Sequence, residues 1–258
     1  MSENGLRGVR VLVTRPVHQA GSLARLIEQA GGEAIGLPTI EIAPPADPAA
    51  LDALLARLAE FDMAIFISPN AVRGALARLE ARGGLPPELA LAAVGQGTLR
   101  ALQAAGCSTV LAPTVRFDSE ALLELLPRER VAGKHIVIFR GEGGRELLGE
   151  TLTARGAQIF YAECYRRLPP RTPDVAALAR LMRGEIDVIT VTSAEGLRNL
   201  YDLAGETGRA RLLETPIVVV SERQARACRE LGFHAALRVA GQASDAAILE
   251  SLRAWRSG

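Results

Sequence analysis

Short apolar runs alternate along the chain with stretches of helical spacing, and glycine- or proline-rich turns separate them. Residues 9–13 read as a buried strand closed by Thr14-Arg15-Pro16. Leu23, Leu26, Ile27 and Ala30 share one face of a helix over about 19–30, which stops at Gly31-Gly32. An extended stretch over 34–42 closes at Pro44-Pro45. The same alternation then predicts a helix over 48–59, a strand over 63–67, a helix over 71–82, a strand over 91–94, a helix over 99–105 and a strand over 109–111. Asp118-Ser119 caps a helix over 120–126. In the second half, strands fall at 136–139, 188–192, 217–220 and 235–239, and an extended run ends at Tyr165. Helices fall at 173–182 and 225–231, and a last one is capped by Ser244-Asp245. The strands are apolar throughout rather than alternating, which is the mark of parallel sheets covered on both faces.

The pattern occurs twice. Gly8 matches Gly133, Arg15 matches Arg140, Gly31 matches Gly156 and Ile40 matches Tyr165, each pair 125 positions apart (133 − 8). Asp62 with Asp187 and Ser68 with Ser193 keep the same spacing. The expected fold class is therefore α/β: two doubly wound, flavodoxin-like parallel-sheet domains from a tandem duplication. A chain of 258 residues accommodates two domains of ordinary size.

Composition narrows the class. A net charge of +1 gives no broad attraction to nucleic acid or to acidic membranes. Of the 30 basic residues only Lys134 is a lysine, which fits a GC-rich codon bias. Three cysteines (Cys107, Cys164, Cys228) without a CxxC pair argue for a reducing compartment. No apolar stretch reaches the ~20 residues of a membrane helix, and the N-terminal segment has no apolar signal core. A cytoplasmic monomer is the expectation.

In an open parallel sheet a ligand binds beyond the carboxyl ends of the strands, where helix N-termini present free N–H groups. That rule selects six turns: Thr14-Arg15; Ser68-Pro69-Asn70; Gly95-Gln96-Gly97-Thr98; Arg140-Gly141-Glu142-Gly143-Gly144; Ser193-Ala194-Glu195; and Ser221-Glu222-Arg223. Their candidate ligand-binding residues are Arg15, Ser68, Asn70, Gln96, Thr98, Arg140, Gly141, Gly143, Gly144, Ser193, Glu195, Ser221 and Arg223. Taken singly, each turn also reads as an ordinary helix cap; taken together they suit an anionic ligand. Gly133-Lys134 lacks the rest of a phosphate-binding loop, and Glu146 replaces the third glycine of a dinucleotide fingerprint. His18, His135 and His234 are scattered, so neither a metal cluster nor a catalytic triad is expected, and no cofactor is implied. Tyr165, beside Arg166 and Arg167, is either a proton donor or an aromatic packed at a crossing with its hydroxyl bonded.

The motifs VLVTRP (11–16), FISPNAV (66–72), AVGQGT (93–98), RGEGGRELLGETLTARGA (140–157), AECYRR (162–167), VTSAEGL (191–197) and VVSER (219–223) resemble the uroporphyrinogen-III synthase family in order over nearly the whole chain. The resemblance implies cofactor-free closure of the linear tetrapyrrole hydroxymethylbilane to uroporphyrinogen III. Water is lost, the last pyrrole ring is inverted, and the site is a cleft between two α/β domains. It places Ser68, Thr98, Tyr165 and Ser193 among the cleft's polar positions, with Tyr165 as the catalytic candidate. Where many members have a glycine and threonine turn, this chain has Ser221-Glu222-Arg223-Gln224. It also implies a crossed division: residues 1–38 with 168–258 in one domain, 45–160 in the other, and linker strands at 39–44 and 161–167. The rival reading is a non-catalytic two-domain protein that closes on an anionic small molecule.

Overall fold

Strands and helices alternate from Arg10 to Arg256 in a computed structural model that describes residues 5–144, 146–242 and 244–257. The first part of the chain forms β1 (Arg10–Val13), α1 (Val17–Gln29), β2 (Glu33–Gly36), β3 (Glu41–Ala43), α2 (Pro48–Ala56), β4 (Met63–Phe66) and α3 (Pro69–Leu79). There follow β5 (Ala90–Ala93), α4 (Gln96–Ala104), β6 (Val110–Leu111), α5 (Ser119–Glu124), α6 (Arg128–Val131), β7 (His135–Gly141) and α7 (Leu147–Ala154). The remainder forms β8 (Gln158–Leu168), α8 (Val175–Met182), β9 (Val188–Val191), α9 (Ala194–Leu213), β10 (Ile217–Val219), α10 (Glu222–Glu230), β11 (Leu237–Val239) and α11 (Asp245–Arg256).

Contacts divide the chain into two units, one holding residues up to Glu41 and from Leu168 onward, the other Ile42–Arg167. The first unit's sheet runs β2-β1-β9-β10-β11, and each adjacent pair is parallel. Leu12, Ile189, Val191, Ile217 and Val219 fill one face beneath α8, α9 and α10. Val11, Val13, Val188 and Val218 fill the other against α1 and α11. Both faces are therefore dry, which is why these strands carry no polar alternation.

The second unit's sheet runs β3-β8-β7-β4-β5-β6. Ala64, Phe66, Ala93, Val137 and Phe139 form one face with residues of α2, α3 and α4, and the Phe66 and Phe139 rings stack 4.4 Å apart. Met63, Ile65, Ala92, Ile136 and Ile138 form the other face with α5 and α7. Strands that begin 125 positions apart (135 − 10, 158 − 33, 188 − 63) stand at equivalent places in the two sheets: β1 and β7, β2 and β8, β4 and β9.

Several boundaries differ from the sequence expectation, for physical reasons. The extended stretch expected over 34–42 is two strands, because Pro38 cannot donate to a ladder. Three helices start earlier than periodicity suggests, at Pro69, Gln96 and Glu222, because the polar turns are wound into their first turns. The short α6 and the long α9 fall outside the sequence expectation, although Leu197, Leu200, Ala204, Gly208 and Leu212 bury one face of α9 at helical spacing. Within α9, Gly205 adopts φ 60° and ψ 179°, which breaks the helical path in a conformation that only glycine takes readily. No helix among the described residues is long and apolar enough to cross a membrane.

Candidate active site

Each sheet has a switch point, where the connections leave in opposite directions; in the second unit it lies between β4 and β7. The turn after β4 begins with Ser68, whose Oγ accepts from the Ala71 N–H at 3.1 Å and caps α3. The turn after β7 begins with Gly141. Tyr165, near the end of β8, reaches both.

A bulge makes that reach possible. Arg140 pairs with Glu163 but Gly141 pairs with Tyr165, so Cys164 is an extra residue in β8. The bulge turns two successive side chains, Cys164 and Tyr165, into the same core cluster with Phe139 and Ala162. Tyr165 is 4% exposed, and its hydroxyl lies 3.1 Å from Ser68 Oγ. Arg167 Nη2 donates to the same oxygen at 3.3 Å, with the guanidinium 5.8 Å from the ring centroid. The sequence offers a proton donor or a packed aromatic with its hydroxyl bonded; the structure buries the ring and bonds the hydroxyl to Ser68 and Arg167. Burial pushes the Cys164 thiol up to about 12, so it carries no reactive thiolate at neutral pH.

Asn70, in the first turn of α3, is buried and bonded to Arg73. Partial burial pushes the Arg73 guanidinium down, and nearby Tyr165 opposes that shift. Next along the sheet edge, Gly95 caps α4, Gln96 is exposed and Thr98 is buried in the first turn. Gly97 stands close enough to Pro69 that a methyl group there would lie 3.5 Å from its ring, so the α3 and α4 first turns are neighbours.

The glycine turn after β7 is organised differently from the expectation. Arg140 is 4% exposed and its guanidinium serves the turn itself. Its Nε donates to the Gly143 carbonyl at 3.1 Å, its Nη1 pairs with Glu146 at 3.0 Å, and it stacks 4.7 Å from the Tyr161 centroid. Tyr161 donates to Glu146 at 2.9 Å, and that bond followed by Arg140 holds the Glu146 carboxyl below its usual range. Gly143 and Gly144 take positive φ, so the turn is a clamp closed on its own arginine. Arg145, within the same motif, lies outside the described residues.

In the first unit the switch point lies between β1 and β9. Ser193 caps α9 by accepting from Gly196 N–H at 2.9 Å, and Glu195 is exposed beside it. Ser221 caps α10, while buried Gln224 accepts from Val220 N–H at 2.9 Å and seals that turn; Arg223 is exposed. Arg15, expected to face an anion, is paired with Asp245 at the start of α11. Thr39 and Asn199 lie outside the turns that the sequence singles out. Thr39 is fully buried and donates to the Thr14 carbonyl at 3.2 Å, while Asn199 Nδ2 donates to the Thr39 carbonyl at 2.8 Å. The repeat was the available signal: Thr39 and Asn199 stand 125 positions (164 − 39, 199 − 74) from Cys164 and Gly74, which meet in the second unit.

A family model described as Uroporphyrinogen-III synthase HemD matches residues 21–250. The uroporphyrinogen-III synthase of Escherichia coli strain K12 is 36% identical over 245 residues, 94% of this chain and 99% of that protein. That of Synechococcus elongatus is 34% identical over 239 residues, 90% of this chain and 89% of that protein. Among solved structures, a mutant uroporphyrinogen III synthase from the extremely thermophilic bacterium Thermus thermophilus superposes with a TM-score of 0.59 at 22% identity, covering 97% of this chain and 100% of that one. The uroporphyrinogen-III synthetase from Helicobacter pylori 26695 gives 0.60 at 16% identity, covering 96% and 99%. At those identities the structural likeness speaks for the α/β fold alone.

Proposed function

We propose that this chain, which belongs to the uroporphyrinogen-III synthase family, closes hydroxymethylbilane to uroporphyrinogen III by eliminating water, as a carbon–oxygen lyase. One C–O bond breaks and the hydroxyl leaves with a proton as water. To invert the last ring, the carbon–carbon bond that joins it to its neighbour breaks while two new ones form, one at each α-carbon of that ring, a net gain of the one bond that closes the macrocycle. The observation that carries the mechanism is the Ser68–Tyr165 hydroxyl pair at the sheet's switch point, 3.1 Å apart. A phenol, neutral at pH 7 with an ordinary pKa of ~10, can meet a polyanionic substrate without the repulsion that a carboxylate such as Glu142 or Glu195 would meet.

The first turns of α3 and α4 supply backbone N–H groups for substrate carboxylates, with Ser68, Gln96 and Thr98 alongside. Ser193 and Ser221 head turns of the same kind in the other unit. On this reading Arg140, Gly143 and Gly144 shape the turn that carries Gly141, and Asn70 orients Arg73. The working domains are residues 1–38 with 168–258, and 45–160, with linker strands at 39–44 and 161–167. A purely binding role is disfavoured, since the matched relatives carry a synthase name over nearly their full length.

The test is incubation with hydroxymethylbilane generated in situ by an enzyme, followed by isomer analysis of the product. Excess type III isomer over the protein-free control supports the reading. Type I alone, the product of closure without inversion, overturns it.

A further inference from the structure

Two groups converge on the Tyr165 hydroxyl. Ser68 Oγ lies 3.1 Å from the phenolic oxygen, and Arg167 Nη2 donates to that oxygen at 3.3 Å. Arg167 is exposed and enters the site from the strand end, two residues beyond the tyrosine.

We infer that Arg167 is a positioning residue which, together with Ser68, aims the Tyr165 proton outward and holds the oxygen after that proton has left; the inference rests on the synthase reading above. The donor inventory admits this direction. A guanidinium can only donate, so Arg167 occupies one lone pair of the phenolic oxygen. The Ala71 N–H occupies one lone pair of Ser68 Oγ. When the serine hydroxyl donates to the tyrosine, both phenolic lone pairs are filled and the phenol's own proton is left for an incoming ligand.

The chemistry balances around this set. Tyr165 gives its proton to the departing hydroxyl, which leaves as water. The phenolate that remains accepts from Arg167 and Ser68, and a charge-assisted bond of this kind is roughly twice as strong as a neutral one. Once the last ring has been detached from its neighbour and rejoined in the inverted sense, its formerly unsubstituted α-carbon loses its proton to restore aromaticity, and that proton returns to the phenolate. The donors thus act on a charge that exists only during the reaction, which favours kcat over substrate binding.

A double-mutant cycle on the full-length protein tests this, using Arg167→Met, Tyr165→Phe and their combination, with Arg167→Lys as the conservative variant. Initial rates of type III formation give kcat and KM. Arg167→Met should lower kcat by roughly 10- to 100-fold, the range of a hydrogen bond to a charged group, with KM changed less than about threefold. Arg167→Lys should recover part of the loss. In the Tyr165→Phe background, where no hydroxyl remains to be held, the same substitution should change kcat less than about twofold. Equal factors in both backgrounds overturn the inference, as does a raised KM with unchanged kcat, which would make Arg167 a substrate-carboxylate contact. Should Arg167→Met fail to fold, Arg167→Gln completes the same cycle. A parent that forms no type III isomer overturns the synthase reading and this inference together, whereas an active parent with an additive cycle overturns this inference alone.

Discussion

The ring of Tyr165 lies directly on Gly141: a methyl group at position 141 would come within 2.7 Å of its Cζ and 3.1 Å of its hydroxyl oxygen. Gly141 is therefore the floor on which the phenol rests, and its lack of a side chain sets the ring's height above the sheet. Gly141→Ala should displace the ring and separate the hydroxyl from Ser68. We expect turnover to fall by about tenfold or more, with an overpacking penalty of roughly 1–3 kcal/mol in urea denaturation. Steady-state kinetics and urea titration check the two parts separately. An alanine variant with parental kinetics would mean that the ring position does not matter.

Gly74 plays the matching part on the helix side. Its added methyl would meet the Cys164 carbonyl at 2.8 Å, so α3 lies against the bulge that aims Tyr165. Gly74→Ala should destabilise the fold by roughly 1–3 kcal/mol and lower activity through the displaced bulge. Cys164→Ala leaves that backbone contact in place, and its activity should survive once its lower stability is allowed for. Thermal melts and turnover of the pair distinguish backbone placement from side-chain chemistry.

Ser193 is a cap as well as a candidate ligand. Ser193→Ala removes the bond to Gly196 N–H and should cost about 1 kcal/mol of stability. If the turns hold carboxylates chiefly through backbone N–H groups, turnover efficiency should fall by only roughly 0.5–1.5 kcal/mol. A loss above about a thousandfold, or ~4 kcal/mol, would show that the hydroxyl itself does the binding.

At the amino-terminal end of the first sheet's strands, Asp187 accepts from Arg10 backbone N at 2.7 Å and from its guanidinium at 3.0 and 2.8 Å. The Arg10 side-chain bonds hold the aspartate below its usual range against the opposing effect of burial. A carboxylate depressed in the folded state stabilises fully above its unfolded pKa of ~3.9, and that contribution is lost as pH falls through the folded value. The stability gap between parent and Asp187→Asn should thus be constant near neutrality and shrink below about pH 4. Urea midpoints at a series of pH values measure it, and a gap that widens in acid would refute the assignment.

The alternation of strands and helices was legible in the sequence, because dry strands and amphipathic helices write different periods. The 125-residue spacing marks equivalent positions in the sequence itself, from Ser68 and Ser193 to Asp62 and Asp187. Polar turns could be placed at strand ends, but not divided between ligand and scaffold. Arg140 and Arg15 look alike in sequence, and only tertiary contacts show one bound to its own turn and the other to Asp245. The bulge at Cys164 was also hidden, since it depends on pairing register rather than on composition. Thr39 and Asn199 were missed because a buried threonine and a helical asparagine give no local signal.

The central claim is that the Tyr165 hydroxyl takes part in ring closure, and Tyr165→Phe tests it most directly. The substitution keeps the ring on Gly141 and removes only the oxygen shared with Ser68 and Arg167. Circular dichroism should show an intact fold, while the steady-state rate of type III formation should fall by ~10²–10⁴-fold, the usual contribution of a general acid. A folded variant within about threefold of the parent rate, far below that range, would contradict the account.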